Sequence, residues 1–546
     1  MIQQKKVRST LLFLLCCSAY GVILSMLFHL QILRRTYYSS LGKQQYAMHV
    51  TLQPPRAPIY DYHGKAVAIN AECLSAFILP QEITQHDRLA QFLKRYFKQA
   101  FERWKLAEHK YFMFIKRRLK PQESALIKAF GVDDIKIVAE PCRYYPADTM
   151  GTILGITDID NNGLFGIELL CDKQLKGEPS SYTLERDARS GHFYFNKITN
   201  IQGHDGIPAY LTIDSELQFL VYQELKEAIE SFHAKEGGVI IVDPTTGEIR
   251  ASASYPDFNP NETEHLVQEY TKNFLFTQCY EVGSVIKVFL AMAALEEGVI
   301  TPDELIDCEN KRTTSIEGMK VNTTPGSERG LVSFSEVIQK SNNIGVAKVA
   351  LRLGSKLFDY YKRLGFMNKT TINFPGEQTG FISNPSEWSK RSIISLSFGY
   401  EIRTTMAQLA QAFSLIAQNG HPVTLTLFKQ SKPRVLQPAI FSTKTIENIK
   451  DILTNTVLAG TARRARIKGY RVMGKTGTAN LVELGSYQEN KNIFTFSGII
   501  EKDNYQRVIV TYIKEIESKR PRYASTVVAP LFDQIAEKML IHDKMI

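Results

Sequence analysis

The chain has 546 residues, 44% of them hydrophobic, and a formal net charge of +10. That length predicts about two to four domains, and that composition predicts a core-forming globular protein. The charge suits anionic surroundings, but the basic residues are dispersed and no RNA- or DNA-binding motif accompanies them, so nucleic acid is excluded as a partner.

Seven cysteines occur, with Cys16 and Cys17 inside an apolar run and Cys73, Cys142, Cys171, Cys279 and Cys308 far apart. No C-x-x-C spacing is present, which argues against a zinc site, and the cysteines read as buried small hydrophobes. Residues 9–33 hold no Asp, Glu, Lys or Arg and are flanked by Lys5, Lys6 and Arg8 before and Arg34 and Arg35 after. The run is long enough to cross a hydrocarbon core of roughly 30 Å and ends without a small-residue cleavage site, so it reads as an uncleaved anchor. Leaving the basic tail of residues 1–8 in the cytoplasm places the rest of the chain outside.

Beyond the anchor, Pro54 to Asn70 reads as extended segments around a His63-Gly64 turn. Leu89, Phe92, Leu93, Tyr96, Phe97, Ala100, Phe101 and Trp104 recur at helical spacing, predicting a helix over 89–106 with a core face. Residues 140–168 shift to Gly-, Asp- and Asn-rich turns. Asp158-Ile159-Asp160-Asn161-Asn162-Gly163 lacks the length and closing glutamate of an EF-hand, which argues against calcium. Nothing in 34–205 looks catalytic. A boundary near Gln202–Gly206 precedes a helix over 215–232, a hairpin of strands around 238–243 and 248–254, and helices over 341–353 and 404–418. Strands at 494–501 and 507–514 and a helix over 525–540 close the chain. Strands at both ends with helices between predict an α/β domain with a mainly antiparallel sheet.

Three short motifs carry the chemistry. In Tyr280-Glu281-Val282-Gly283-Ser284-Val285-Ile286-Lys287, the glycine breaks the chain before an apolar, helix-prone run. Ser284 therefore falls at a helix N-terminus with Lys287 one turn later, a hydroxyl with an amine within reach. Ser40-Leu41-Gly42-Lys43 repeats the pattern with nothing catalytic around it, so the pair alone is weak. Ser341-Asn342-Asn343 opens a helix, where the plain reading is an N-cap. Lys475-Thr476-Gly477-Thr478 sits in a segment suited to a strand, where the plain reading is a surface turn. In the order S-x-x-K, S-x-N, K-T-G the three are a strong signal for serine acyl transfer. Ser284 would attack a carbonyl, a neutral Lys287 would take its proton, and the charge of Lys475 would help keep Lys287 neutral. Ser341 would relay a proton to the leaving amine, and Asn343 would hold Lys287 and the substrate amide. Thr476, Gly477 and Thr478 would bind a terminal carboxylate, with the amides of Ser284 and Thr478 as oxyanion donors.

At these residues the chain resembles the class B penicillin-binding proteins over nearly its whole length. Arg143-Tyr144-Tyr145-Pro146, Gly163–Glu168 and Leu175-Lys176-Gly177 resemble that family's N-terminal pedestal. Leu211–Gln218, Asp243–Asn261 and Tyr280–Lys287 resemble its transpeptidase domain. Ser341–Gly345 and Ser397-Phe398-Gly399-Tyr400-Glu401-Ile402 resemble the division-specific FtsI branch. The resemblance implies a multidomain α/β chain: a tail (1–8), a transmembrane helix (9–33), a mixed α+β pedestal of the dimerisation type (34–205) and a serine β-lactamase-like transpeptidase domain (206–546). It implies D-Ala-D-Ala transpeptidation of peptidoglycan stem peptides at the division septum and acylation of Ser284 by β-lactams. An FtsW-type glycosyltransferase and other division proteins would be the partners, the plasma membrane the location, and no cofactor would be needed. Ala57 stands where the family usually has glycine, Tyr62 where it has arginine, and Val282 where proline precedes the nucleophile.

Four rivals share parts of this pattern. Gly469-Tyr470-Arg471-Val472-Met473-Gly474-Lys475-Thr476 satisfies the Walker A pattern, but no buried strand precedes it and no helix-prone run follows. A β-lactamase shares the trio, yet no Glu-x-x-Leu-Asn segment positions a hydrolytic water. A non-enzymatic division scaffold would not need Ser284, and an elongation-type class B transpeptidase would share the chemistry at a different place in the cell.

Overall fold

The run Val239-Ile240-Ile241-Val242 has no polar side, the pattern of a strand covered on both faces, and the sheet built around it organises the larger part of the molecule. The computed structural model describes residues 2–106, 112–186, 193–264, 266–430, 436–483, 486–517 and 523–546, which fall into two compact units.

The first unit comprises residues 1–56 and 176–206. A helix over Ile2–Phe28 runs through a π-helical turn at His29–Leu33, followed by a helix over Arg35–Tyr46. The stretch Gln4–Leu33 is long and apolar enough to cross a membrane, and its large apolar side chains are exposed. Strands 47–52, 180–186 and 193–201 form a three-stranded antiparallel sheet.

The second unit comprises residues 57–175 and 207–546. The turn expected at His63-Gly64 joins strands Ile59–Tyr60 and Ala66–Ile78. The helix expected over 89–106 is instead two, His86–Tyr96 and Lys98–Lys105, because Phe97 leaves helical geometry at φ −135° and ψ 58°. The break lets Phe92 and Phe97 both turn into one small core with Leu89, Leu93 and Ala100. Cys73 and Cys142 are not free hydrophobes. They form a disulfide between neighbouring strands 66–78 and 136–144, as suits an oxidising compartment.

The core of this unit is a five-stranded antiparallel sheet with helices on both faces. In chain order its elements are α1 (Ser215–Phe232), β1 (Glu236–Val242), β2 (Ile249–Tyr255), α2 (Lys287–Glu296), α3 (Asn343–Leu353), α4 (Met406–Ala417), β3 (Arg471–Glu483), β4 (Ser486–Lys502), β5 (Tyr505–Lys514) and α5 (Ala524–His542). The strand order is β2-β1-β5-β4-β3. Alternation with period two splits the strands cleanly. Val239, Ile241, Ile509 and Ile513 pack with Leu217, Val221, Leu225 and Ile229 of α1 and with α5, whereas Ile240, Val242, Val508 and Val510 pack with α2 and α4 on the opposite face. Each such fully buried side chain contributes about 1.5–3 kcal/mol. α1 begins where the Asp214 carboxylate accepts the amides of Glu216 and Leu217, an N-cap that fixes the boundary read from sequence. α2 is apolar all round and buried from Lys287 to Ala294, so it is held by packing rather than by amphipathicity.

Candidate active site

α2 does not begin as a regular α-helix. Gly283–Ile286 form a 3-10 turn, and Lys287 is the first α-helical residue. Ser284, expected at a helix N-terminus, stands in that tighter turn. Gly283 has φ +55°, and a Cβ there would lie 2.4 Å from the Thr478 carbonyl oxygen. A Cβ on Gly477 would lie 2.2 Å from the Val282 carbonyl oxygen. Both contacts exclude any side chain, so the two glycines let the turn press against β3 and set Ser284 beside Thr478.

The second motif divides its duties. Asn342 is the N-cap of α3, accepting the Gly345 amide at 2.9 Å. Ser341 lies one residue earlier at φ +58°, a left-handed conformation costing about 1 kcal/mol or more in a non-glycine residue. That turn aims both its carbonyl and its hydroxyl at α2. The Lys287 Nζ donates to the Ser341 carbonyl oxygen at 2.8 Å, to Ser341 Oγ at 3.2 Å and to Asn343 Oδ1. The third motif lies on β3 as expected, and Lys475 Nζ donates to Ser341 Oγ at 3.0 Å and to the Thr476 carbonyl at 3.1 Å. Residues 469–476 therefore lead into a sheet strand and not a helix, which removes the Walker A reading.

Lys287 and Lys475 are both fully buried, and the described residues place no carboxylate on either. Burial, and then the neighbouring charge of Lys475, holds Lys287 well below the ordinary lysine range. Burial lowers Lys475 to about 7. A neutral amine at Lys287 is thus available near neutral pH. The direct Ser284–Lys287 hydrogen bond suggested by their spacing is not formed, and Ser284 Oγ has no hydrogen-bond partner among the described residues. Such bonds often close only when substrate arrives.

Ser284, Ser341, Asn343, Thr476, Gly477 and Thr478 line one cleft of ≈ 620 Å³. Thr476 Oγ1 lies 3.1 Å from Thr461 Oγ1, and Thr478 Oγ1 accepts the Ala524 amide at 3.3 Å. Phe398, Tyr400 and the cations Arg329, Lys340 and Arg463 line the same cleft without having been singled out from sequence as site residues. Lys340 directly precedes the second motif, and Arg463 opens the basic run before the third. Both were hidden by the plain reading of basic residues as solvated surface.

A family model described as the penicillin binding protein transpeptidase domain matches residues 237–537, and one described as the penicillin-binding protein dimerisation domain matches residues 51–211. A probable peptidoglycan D,D-transpeptidase PenA of Neisseria meningitidis is 30% identical over 520 residues, covering 93% of this chain and 88% of its own. The peptidoglycan D,D-transpeptidase FtsI of Escherichia coli is 29% identical over 495 residues, covering 88% and 82%. The crystal structure of penicillin binding protein 3 from Mycobacterium tuberculosis in complex with aztreonam shares the fold, with a TM-score of 0.69 over 91% of this chain and 97% of that one at 22% identity.

Proposed function

The chain belongs to the penicillin-binding-protein transpeptidase family, in its class B form, and from that premise we propose that Ser284 is the nucleophile, with Lys287 as its base. The enzyme is a peptidoglycan D,D-transpeptidase working through a serine acyl-enzyme. The observation that carries the residue assignment is the meeting of the three motifs at Ser341 Oγ, which both lysines touch.

Ser284 Oγ attacks the carbonyl carbon of the penultimate D-Ala, and its proton passes to neutral Lys287. The amides of Ser284 and Thr478 receive the oxyanion, a contribution of roughly 3–4 kcal/mol per donor. The carbon–nitrogen bond then breaks. Ser341, between the two lysines, passes a proton to the departing amine of the terminal D-Ala. Thr476, Gly477 and Thr478, with Lys475 behind them, hold that residue's carboxylate until it leaves. Asn343 fixes Lys287 from one side and reaches the substrate amide from the other. An amine from a neighbouring stem then attacks the ester carbonyl, gives up its proton to the same relay, and frees Ser284.

A β-lactam entering the cleft acylates Ser284 and remains bound as a slowly decaying adduct. The apolar helix anchors the chain in the plasma membrane with the catalytic unit outside, residues 34–205 form the pedestal domain, and residues 206–546 form the transpeptidase domain. The spans of the two matched family models support that division. We read the role as septal synthesis in company with an FtsW-type glycosyltransferase, a reading that starts from the likeness to a relative named FtsI. An elongation-type role is the second reading, because the chemistry is common to both. Fluorescent penicillin should label the wild type and not Ser284→Ala, and the label should gather at division sites. An unlabelled wild type would sink the assignment, and label along the lateral wall would favour elongation.

A further inference from the structure

The mouth of the cleft carries a charge imbalance that the acylation chemistry does not use. Arg329, Lys340 and Arg463 line it, and among the described residues no aspartate or glutamate does. Arg329 is paired, its Nε reaching Glu336 at 3.3 Å. The other two are not. Lys340 Nζ and Arg463 NH2 both donate to the carbonyl oxygen of Ala459, at 2.8 and 3.0 Å, and neither has an acidic partner among the described residues. Two cations thus converge on one neutral oxygen and stand within about 6 Å of each other. Each keeps donors to spare, since an ammonium offers three N–H groups and a guanidinium five. A carboxylate arriving between them relieves the like-charge repulsion and gains charge-assisted hydrogen bonds from both.

We infer that Lys340 and Arg463 form a subsite for a second carboxylate of the stem peptide, separate from the terminal carboxylate held at Thr476 and Thr478. The inference rests on Ser284 as the acylated nucleophile. It specifies the substrate as a stem peptide with a free carboxylate upstream of its D-Ala-D-Ala end. That carboxylate belongs either to a branching residue that is a diamino dicarboxylic acid or to an unamidated glutamate before it. Lys475 is withdrawn from this role by burial and by its bonds to Ser341 and Thr476.

Benzylpenicillin and carbenicillin differ by one carboxylate on the side chain that stands in for the upstream residue. Acylation of the full-length protein by each is measured for the wild type, Arg463→Gln, Lys340→Gln and the double variant. The double variant should lose about threefold to tenfold in acylation by carbenicillin, with each single variant losing less and benzylpenicillin changing less than twofold. The carbenicillin loss should shrink as salt is raised. Equal losses for both drugs, or no loss for either, would overturn the subsite.

D-Ala release from pentapeptides separates the two sources of the carboxylate. One pair differs by a diamino dicarboxylic acid or lysine at the third residue, the other by free or amidated glutamate at the second. Dependence on either carboxylate that vanishes in the double variant supports the subsite and names its ligand, and dependence on neither overturns it. Failure of the wild type to be labelled by penicillin at Ser284 would instead overturn the parent assignment.

Discussion

Two clusters of buried charge, near each other in sequence at Tyr280 and Lys287, behave oppositely. Around Ser341, two lysines share one hydroxyl without a carboxylate. Around Glu236, one carboxylate meets Lys514 at 3.0 Å, the Tyr512 hydroxyl at 2.9 Å and the Tyr280 hydroxyl. The second cluster is compensated. Burial, and then the negative charge of Glu236, push both tyrosine hydroxyls well above their ordinary range, so they stay donors. The first is uncompensated, and its lysines are driven toward neutrality. Buried charge with a partner holds a structure in place, whereas buried charge denied a partner becomes a base.

The sharpest break in that comparison is to remove the base. Lys287→Met should slow acylation of Ser284 by penicillin about 10³–10⁴-fold, while a thermal melt stays close to that of the wild type because the lost hydrogen bonds are offset by the desolvation of a buried amine that Met does not require. Next is the neighbour. Acylation should rise with pH along a limb well below the ordinary lysine range, because the neutral form of Lys287 is the reactive one. Burial, and then the charge of Lys475, holds Lys287 well below the ordinary lysine range. Lys475→Met removes that opposing charge, which raises the pKa of Lys287 and moves the limb to higher pH. At neutral pH the variant should be about 100-fold slower. A pH–rate profile whose limb stays in place would show that Lys475 serves the substrate carboxylate alone.

Much of this site was legible because its motifs are local. The Ser284–Lys287 spacing, the glycines at 283 and 477, and a strand at Lys475 all follow from short-range rules, as does the Asp214 cap that starts α1 at Ser215. What escaped depends on partners distant in sequence. The left-handed turn at Ser341 caps the C-terminus of a short helix over Phe334–Gln339, whose Ile338 and Val337 carbonyls accept the amides of Ser341 and Asn342. No glycine marks it in the sequence, and its consequence, the reach of Lys287 to the Ser341 carbonyl, is long-range. The bridge from Cys73 to Cys142 spans 69 residues, and an odd number of cysteines without a register between their strands gives no hint of it. Helical periodicity ran past Phe97 unbroken, because the break serves a core whose other wall comes from later segments. Lys340 and Arg463 share a carbonyl although their positions along the chain are far apart.

The compensated cluster is tested by unbalancing it. Among the described residues, Glu236→Gln leaves Lys514 with Glu515 at 3.9 Å as its one carboxylate, and it takes the charged acceptor from two buried hydroxyls. A loss of about 2–3 kcal/mol in unfolding free energy is expected, with acylation of Ser284 changed less than threefold. Denaturant titration beside penicillin labelling measures both. A large kinetic effect with unchanged stability would mean that Tyr280, four residues before Ser284, transmits catalytic positioning.

The smallest effect concerns Asp214, a buried carboxylate whose partners are mixed. One oxygen caps α1, and the other accepts from His63 Nε2 at 2.9 Å and His542 Nε2 at 2.8 Å, with Arg250 at 3.6 Å. Burial pushes its pKa up, but the bonds from His542 and the Leu217 amide outweigh that and hold it below the ordinary value. A pKa lowered by folding contributes stability that is present above the unfolded value, about 3.9, and is lost as pH falls through the folded one. Asp214→Asn should therefore cost about 1–2 kcal/mol at pH 7, for the cap and the weakened charge-assisted bonds. The gap to the wild type should close below about pH 4, as measured by unfolding at matched ionic strength. A gap that stays constant across that range would assign the cost to the lost cap geometry and not to the charge, and would place Asp214 outside the rule that separates the other two clusters.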